Sequence, residues 1–348
     1  MTAETMTPMQ RVLAALSHQE PDRVPYFLLF TMHGAREMGV SIKEYYSSPD
    51  LVVEGQLRLR EKFGHDCLVG FLHAPVEVEA FGGEVIYVDN GPPNSGRPFI
   101  SDLKQIADLE PPDIGNSECL GRVLETLRGL KAAAGDDVPV VGVVMSPFSL
   151  PVMQMGFPAY IELLYGERKT FDRLMEVNEE FCVSWANAQL EAGATAVVYF
   201  DPVSSPSSVP RDLYLETGHE VAKRTIPQIS GATATHFASG RCLGIVDDVA
   251  ATGTVAVSAS VLEDLGETKD RCKGRLAVVG NLNGIEMSRW CPEDAEIRVR
   301  EAIASAGTGG GFILADNHGE IPWQVKDHVL HAISKAVRRW GTYPLSWE

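Results

Sequence analysis

Thr195–Asp201 reads TAVVYFD: six small, β-branched or aromatic residues and then a carboxylate. A run this short, apolar on both alternating phases, predicts a strand buried on both faces, as in parallel sheets. The next such run, residues 228–236 (QISGATATH), lies beyond a segment long enough for a crossover, and ends in His236. That pairing is a βα unit feeding a parallel neighbour, and the same reading extends outward in both directions. Upstream, the runs are 24–31 (VPYFLLFT), 66–71 (DCLVGF) and 138–145 (VPVVGVVM). Downstream, they are 254–259, 276–281 (LAVVGN) and 311–316 (GFILAD). With 195–201 and 228–236 these make eight, the number that closes a (β/α)8 TIM barrel.

The segments between the runs agree. Residues 48–64 (SPDLVVEGQLRLREKFG) and 167–193 carry apolar residues at three- and four-residue spacing, which predicts amphipathic helices, the second ending in a glycine suited to a left-handed cap. Residues 76–101 hold two alternating runs joined by Gly82-Gly83 and then a Gly/Pro-rich turn. They predict a β-hairpin inserted after the second strand. Nothing else reads as a linker, so residues 1–348 form one barrel domain.

Composition narrows the function classes. Apolar residues are 45% and charged residues 22% of the chain, which excludes disordered and fibrous classes. No apolar run approaches the roughly 20 residues a bilayer requires. The opening MTAETMTPMQ lacks the basic and apolar regions of a signal peptide, so a cytoplasmic protein without membrane partners is expected. The net charge of -17, with no Lys/Arg stripe, argues against nucleic acid. Six cysteines, at 67, 119, 182, 242, 272 and 291, form no C-x2-C pair, so neither a disulfide framework nor a cysteine-rich zinc module is expected.

In such a barrel the chemistry sits at the carboxyl ends of the strands. The runs lead there into His33, His73, Ser146, Asp201, His236, Asn281 with Asn283, and Asp316-Asn317-His318. Convergent imidazoles and carboxylates, without a nucleophile elbow, a P-loop or a dinucleotide fingerprint, point to a metal held by nitrogen and oxygen donors, zinc by default. A hydrogen-bonded residue at a strand end is the plain alternative for any one histidine.

PDRVPYF, VEVEAFGGEV, GVVMSPFSLPVMQMGF, HFASG, VVGNLNG and GGGFILADNH resemble, in order and spacing, the uroporphyrinogen decarboxylase superfamily. This superfamily also includes cobamide-dependent methyltransferases. The resemblance implies a (β/α)8 barrel over nearly the whole chain. The decarboxylase itself holds tetrapyrrole carboxylates with arginines in an M-R-Q-A-G-R motif; here TMHGAREMG keeps Arg36 and puts His33 where the first arginine stands. The branch that methylates coenzyme M holds zinc with H-x-C-G and a further cysteine, and both thiolates are missing from HFA and DNH here. The pattern is similar instead to the Glu-x14-Glu-x20-His zinc set of aromatic O-demethylase methyltransferases: Asp201, Glu216 after fourteen residues and His236 after nineteen.

That resemblance implies a zinc-dependent transfer of a methyl group from a phenyl methyl ether to the Co(I) corrinoid of a separate corrinoid-binding protein. The chain has no D-x-H-x-x-G corrinoid signature, so the cobalamin would come in trans. Zinc acting as a Lewis acid would stabilise the leaving phenolate. The metal set is then Asp201, Glu216 and His236. His318 is a fourth ligand, a partner of one, or a proton donor. Glu77 and Tyr199 are further catalytic candidates, with Glu79 beside Glu77 on what is equally a solvated face. His33, His73, Met145, Phe148 and Asn281 are expected against substrate, and Met153, Met155 and Phe157 form an apolar wall or plain core. A methylcobamide-dependent methyltransferase with another acceptor and a metal-free decarboxylase of the same fold are the alternatives, with a homodimer as a possible assembly.

Overall fold

The computed structural model describes residues 4–347; residues 1–3 and Glu348 lie outside the described residues. All eight expected runs contain strands: β1 (Tyr26–Phe27), β2 (Leu68–Val69), β5 (Val140–Met145), β6 (Ala196–Phe200), β7 (Ala232–His236), β8 (Ala256–Ser258), β9 (Ala277–Leu282) and β10 (Phe312–Asp316). They form one curled sheet, in the order β1-β10-β9-β8-β7-β6-β5-β2, with every pairing parallel. The two shortest strands, β1 and β2, stand at the ends of that order. One main-chain hydrogen bond, from the Asp66 N–H to the Tyr26 carbonyl at 2.9 Å, crosses between them, as expected of a barrel-like α/β fold.

The helices lie where the apolar spacing placed them. Pro49–Phe63 starts at Ser48, whose hydroxyl accepts the Leu51 N–H, and stops at Gly64 with φ 70°. Arg168–Glu191 buries Phe171, Leu174, Phe181 and Trp185 along one face.

Residues 76–101 depart from the expectation. The first alternating run is a helix, Val76–Ala80, in which Val76, Glu77 and Val78 are all buried, unlike the one-sided burial of an alternating strand. The antiparallel pair lies later, between β3 (Val85–Val88) and β4 (Gly91–Ser95).

Along β6 and β7 burial alternates in step: Ala196, Val198, Phe200, Ala232, Ala234 and His236 are partly accessible, and the residues between them are buried. The accessible set lines the barrel interior, and the buried set lies beneath the helices. The floor is the helix Pro8–Leu16. It is anchored by Arg11, fully buried, which pairs with Asp66 at 2.7 Å and Asp22 at 2.6 Å, while Arg23 pairs with Asp66 at 2.7 Å. Among the described residues no helix is long and apolar enough to cross a membrane.

Candidate active site

The parallel register sets Phe200 beside His236 on the inner face, and their rings stack with centroids 5.3 Å apart at 24°. Above them opens a cavity of about 220 Å³, lined from the barrel by Phe27, Val143, Met145, Val198, Phe200, His236 and Asp316, and from the loops by Phe71, His73 and Glu320. Pro92, Pro93 and Asn94, in β4, close one side of it. None of its lining residues is Lys or Arg.

Each polar group in this wall is held in a definite state. His236 accepts the Ala238 N–H at Nδ1, 2.9 Å, from a non-glycine residue in the left-handed region, φ 52°. With Nδ1 accepting, the proton of the neutral ring is on Nε2. Burial, with His318 adding a like charge, pushes His236 down to about 4. His73 contacts the Tyr87 hydroxyl through Nε2 at 3.2 Å, has its ring edge-on to Tyr46 and Tyr87, and is pushed down to about 3 by burial.

The carboxyls move the other way. Asp316 accepts the Leu29 N–H at 2.9 Å, and burial pushes it up to about 7. Glu320 accepts the Thr31 hydroxyl at 2.7 Å and the Met32 N–H at 2.6 Å; burial, with Asp316 adding to it, pushes it up to about 8. Near neutral pH the cavity therefore carries uncharged imidazoles, a Glu320 carboxyl that largely keeps its proton and an Asp316 carboxyl close to its titration midpoint, a set suited to donating protons and poorly suited to binding an anion.

Of the residues expected from sequence, His73, Met145, His236 and the strand-end Asp316 line this cavity. His318 stands half-buried at the rim, its Nδ1 without a partner, and burial lowers its pKa.

The other candidates lie elsewhere. Tyr199 is on the opposite face of β6, in the core under the helices with Phe181 and Trp185, because one residue along a strand reverses the face. Phe148 is wholly buried against Tyr160 and Phe171, with centroids at 5.8 and 6.2 Å. Met155 is core as well, Met153 packs at its margin and Phe157 is exposed. Asn281 donates to the Ser260 carbonyl at 3.1 Å and lines an outer crevice with Trp290 and Arg298. His33 is buried between Phe30 and Trp323 and pushed down to about 3 by burial; Arg36, the retained arginine, lies over Trp323 at 4.5 Å. Glu77 lies behind Met145, taking its N–H at 2.9 Å with Oε1 and leaving Oε2 without a partner; burial pushes it up to about 8. Glu79 turns outward to Arg122 at 3.0 Å.

The expected zinc set is not assembled. Glu216 ends the helix Arg211–Glu216, exposed on the outside of the barrel in a crevice with Arg168, Glu179 and Arg224. Asp201 is buried, with Oδ1 accepting the hydroxyls of Ser146 and Ser149, and burial raises its pKa against those bonds. His236 turns a protonated nitrogen, not a lone pair, toward the cavity. Among the described residues no three His, Cys, Asp or Glu side chains are grouped so as to hold a metal ion. These residues do not fit a shared zinc.

Phe200, Glu320 and the β4 prolines were not expected. Phe200 is legible as the phase partner of His236 once the strand register is fixed. Glu320 had one sequence signal, an acidic residue two positions beyond His318 in a strand-end loop.

Comparison with known proteins places this architecture. Residues 7–340 match the family model described as uroporphyrinogen decarboxylase (URO-D). The chain is similar to the uroporphyrinogen decarboxylases of Burkholderia thailandensis, 26% identical over 361 residues (94% of this chain, 96% of the relative), and Burkholderia cenocepacia, 25% identical over 360 residues with the same coverage. Among solved structures it is similar in fold to a methyltransferase from Methanosarcina mazei, with a TM-score of 0.85 and 22% identity over 96% of this chain and 99% of that one. A B12-independent methionine synthase from Shewanella sp. W3-18-1 gives a TM-score of 0.53 and 14% identity, over 85% of this chain and 89% of that one.

Proposed function

The chain belongs to the uroporphyrinogen decarboxylase family, and on that premise we propose that it is a methyltransferase of that superfamily which demethylates an aromatic methyl ether and passes the methyl group to a corrinoid carried by a partner protein. The observation that carries this reading is the character of the cavity. Its walls are apolar and aromatic, and no Lys or Arg lines it. A polycarboxylate tetrapyrrole would need cations to replace its hydration, whereas a neutral methoxyarene needs an apolar wall and a few oriented polar atoms.

The bound corrinoid would supply the electron pair that takes the methyl group. The chain's own part is to seat the ring and to manage one proton. Phe200, Phe71 and Met145 offer the ring its apolar wall. The departing phenolate needs a proton, and Asp316 and Glu320 line the cavity with pKa values raised to about 7 and 8, close to the optimum for a general acid at neutral pH. Glu320, oriented by Thr31 and Met32 and carrying the higher of the two values because of its burial and the nearby Asp316, is the better placed to stay protonated. No step is routed through zinc, because Asp201, Glu216 and His236 do not share a centre.

The test is a panel of methoxyarenes incubated with the protein and a Co(I) corrinoid protein, with phenol release measured beside a parallel assay for uroporphyrinogen decarboxylation. Phenol formed in step with methyl transfer supports the reading. Carbon dioxide released from uroporphyrinogen without phenol formation overturns it.

A further inference from the structure

Below the layer of Phe27, Val198, His236 and Val279, which faces both spaces, the bore of the barrel is not filled. Eight-stranded parallel barrels are ordinarily packed here by layers of branched aliphatic side chains. In this chain three adjoining strands put alanine there: Ala196 on β6, Ala232 and Ala234 on β7, and Ala256 on β8. The space left is about 130 Å³, and almost no polar atom faces it. Water would find too few partners in such a space, and engineered apolar cavities of roughly 150 Å³ stay dry and take up benzene or xenon.

The void cannot readily close. Its floor, with Val12 and Leu16 facing it, is the helix that Arg11 ties to Asp22 and Asp66, and its walls from β5 round to β10 are parallel ladder. A rigid, unfilled apolar void is destabilising in proportion to its volume, so an apolar guest of matching size is stabilised there by the contacts the lining lacks.

We propose that the lower half of the barrel is a binding compartment for one small hydrocarbon group, about the size of a benzene ring, separate from the polar cavity at the mouth. The inference does not rest on the methyl-transfer reading. Fluorobenzene is the probe, followed by its 19F resonance on the full-length protein. The wild type is expected to bind one equivalent saturably, and Ala234→Leu, which fills the space two residues below His236, to weaken that binding at least tenfold. Absence of saturable binding to the wild type, or unchanged binding to A234L, would overturn the proposal. Should A234L fail to fold, Ala256→Val serves as the milder filler, with at least a threefold loss expected and no loss counting against the proposal. Xenon pressed into crystals is expected between Ala196, Ala234 and Ala256, and xenon bound only elsewhere is a contrary result. A competition arm identifies the source of the hydrocarbon within the proposal: 4-propyl-2-methoxyphenol displaces fluorobenzene if the group is the tail of a molecule seated at the mouth, and leaves it bound if the group belongs to a free molecule.

Discussion

Glu77 permits a quantitative test of the buried acids, free of any assumption about substrate. Its carboxyl is 3% exposed, one oxygen takes the Met145 N–H, and the other has no partner. Burial raises its pKa from 4.5 to about 8. Between those values the folded protein keeps a proton that the unfolded chain has released. The folded state therefore binds more protons, and stability falls as pH rises, by about 1.4 kcal/mol per pH unit for this one group. From pH 5 to pH 7 the loss is about 3 kcal/mol; below about pH 4.5 it vanishes, and above about pH 8 it is complete. Glu77→Gln retains an acceptor for Met145 and cannot ionise, so it lacks this dependence. Urea unfolding of both proteins at half-unit steps from pH 5 to 9 should show E77Q gaining on the wild type by about 3 kcal/mol between pH 5 and 7, with a plateau above pH 8. Other titrating groups contribute equally to both curves and cancel in the difference. A difference that stays flat with pH would refute the reasoning, because it would mean that Glu77 ionises in the folded protein as readily as in water.

Three further outcomes follow from the same geometry. Glu320→Gln should lower phenol release about 100-fold or more, and the wild-type rate should fall as pH rises through about 7 to 8, where Asp316 and Glu320 lose their protons; a pH-rate profile checks both. Glu216→Ala, at an exposed position outside the barrel, should leave stability within about 0.5 kcal/mol and leave any metal content of the purified protein unchanged, as measured by elemental analysis. Ala238→Gly relieves a left-handed alanine that costs about 1 kcal/mol while keeping the N–H that meets His236. Its melting temperature should equal or exceed that of the wild type, and a clear drop would mean that the alanine methyl is needed where it stands.

The sequence was most informative where periodicity alone sets the outcome. Eight runs apolar on both faces could be satisfied only by a parallel sheet covered by helices, and each contains a strand. The helices at 49–63 and 168–191 could be read for the same reason, since a 3.6-residue apolar stripe is a local fact. Residues 76–80 misled because their apolar/acidic alternation has the period of a strand, whereas the folded protein buries Glu77 together with Val76 and Val78 in one turn of helix.

The site was legible only as far as strand ends are. His73, Met145 and His236 line the candidate cavity, as their places at strand ends predict, because the carboxyl end of a barrel strand faces the mouth whatever the side chain. Tyr199 and Phe200 are neighbours in sequence and opposites in space, and nothing in TAVVYFD states which of them looks inward; the register against β7 does. Asp201 and Glu216 have the spacing of a ligand pair, yet a turn and a short helix carry one into a serine cradle and the other into solvent. The chain's own pattern thus determined which segments become strands and helices, because that choice depends on which residues avoid water within a few positions of one another. Which side chains share the cavity, and in what protonation state, was decided by the tertiary structure, because burial and the company of other charges are properties of position in space.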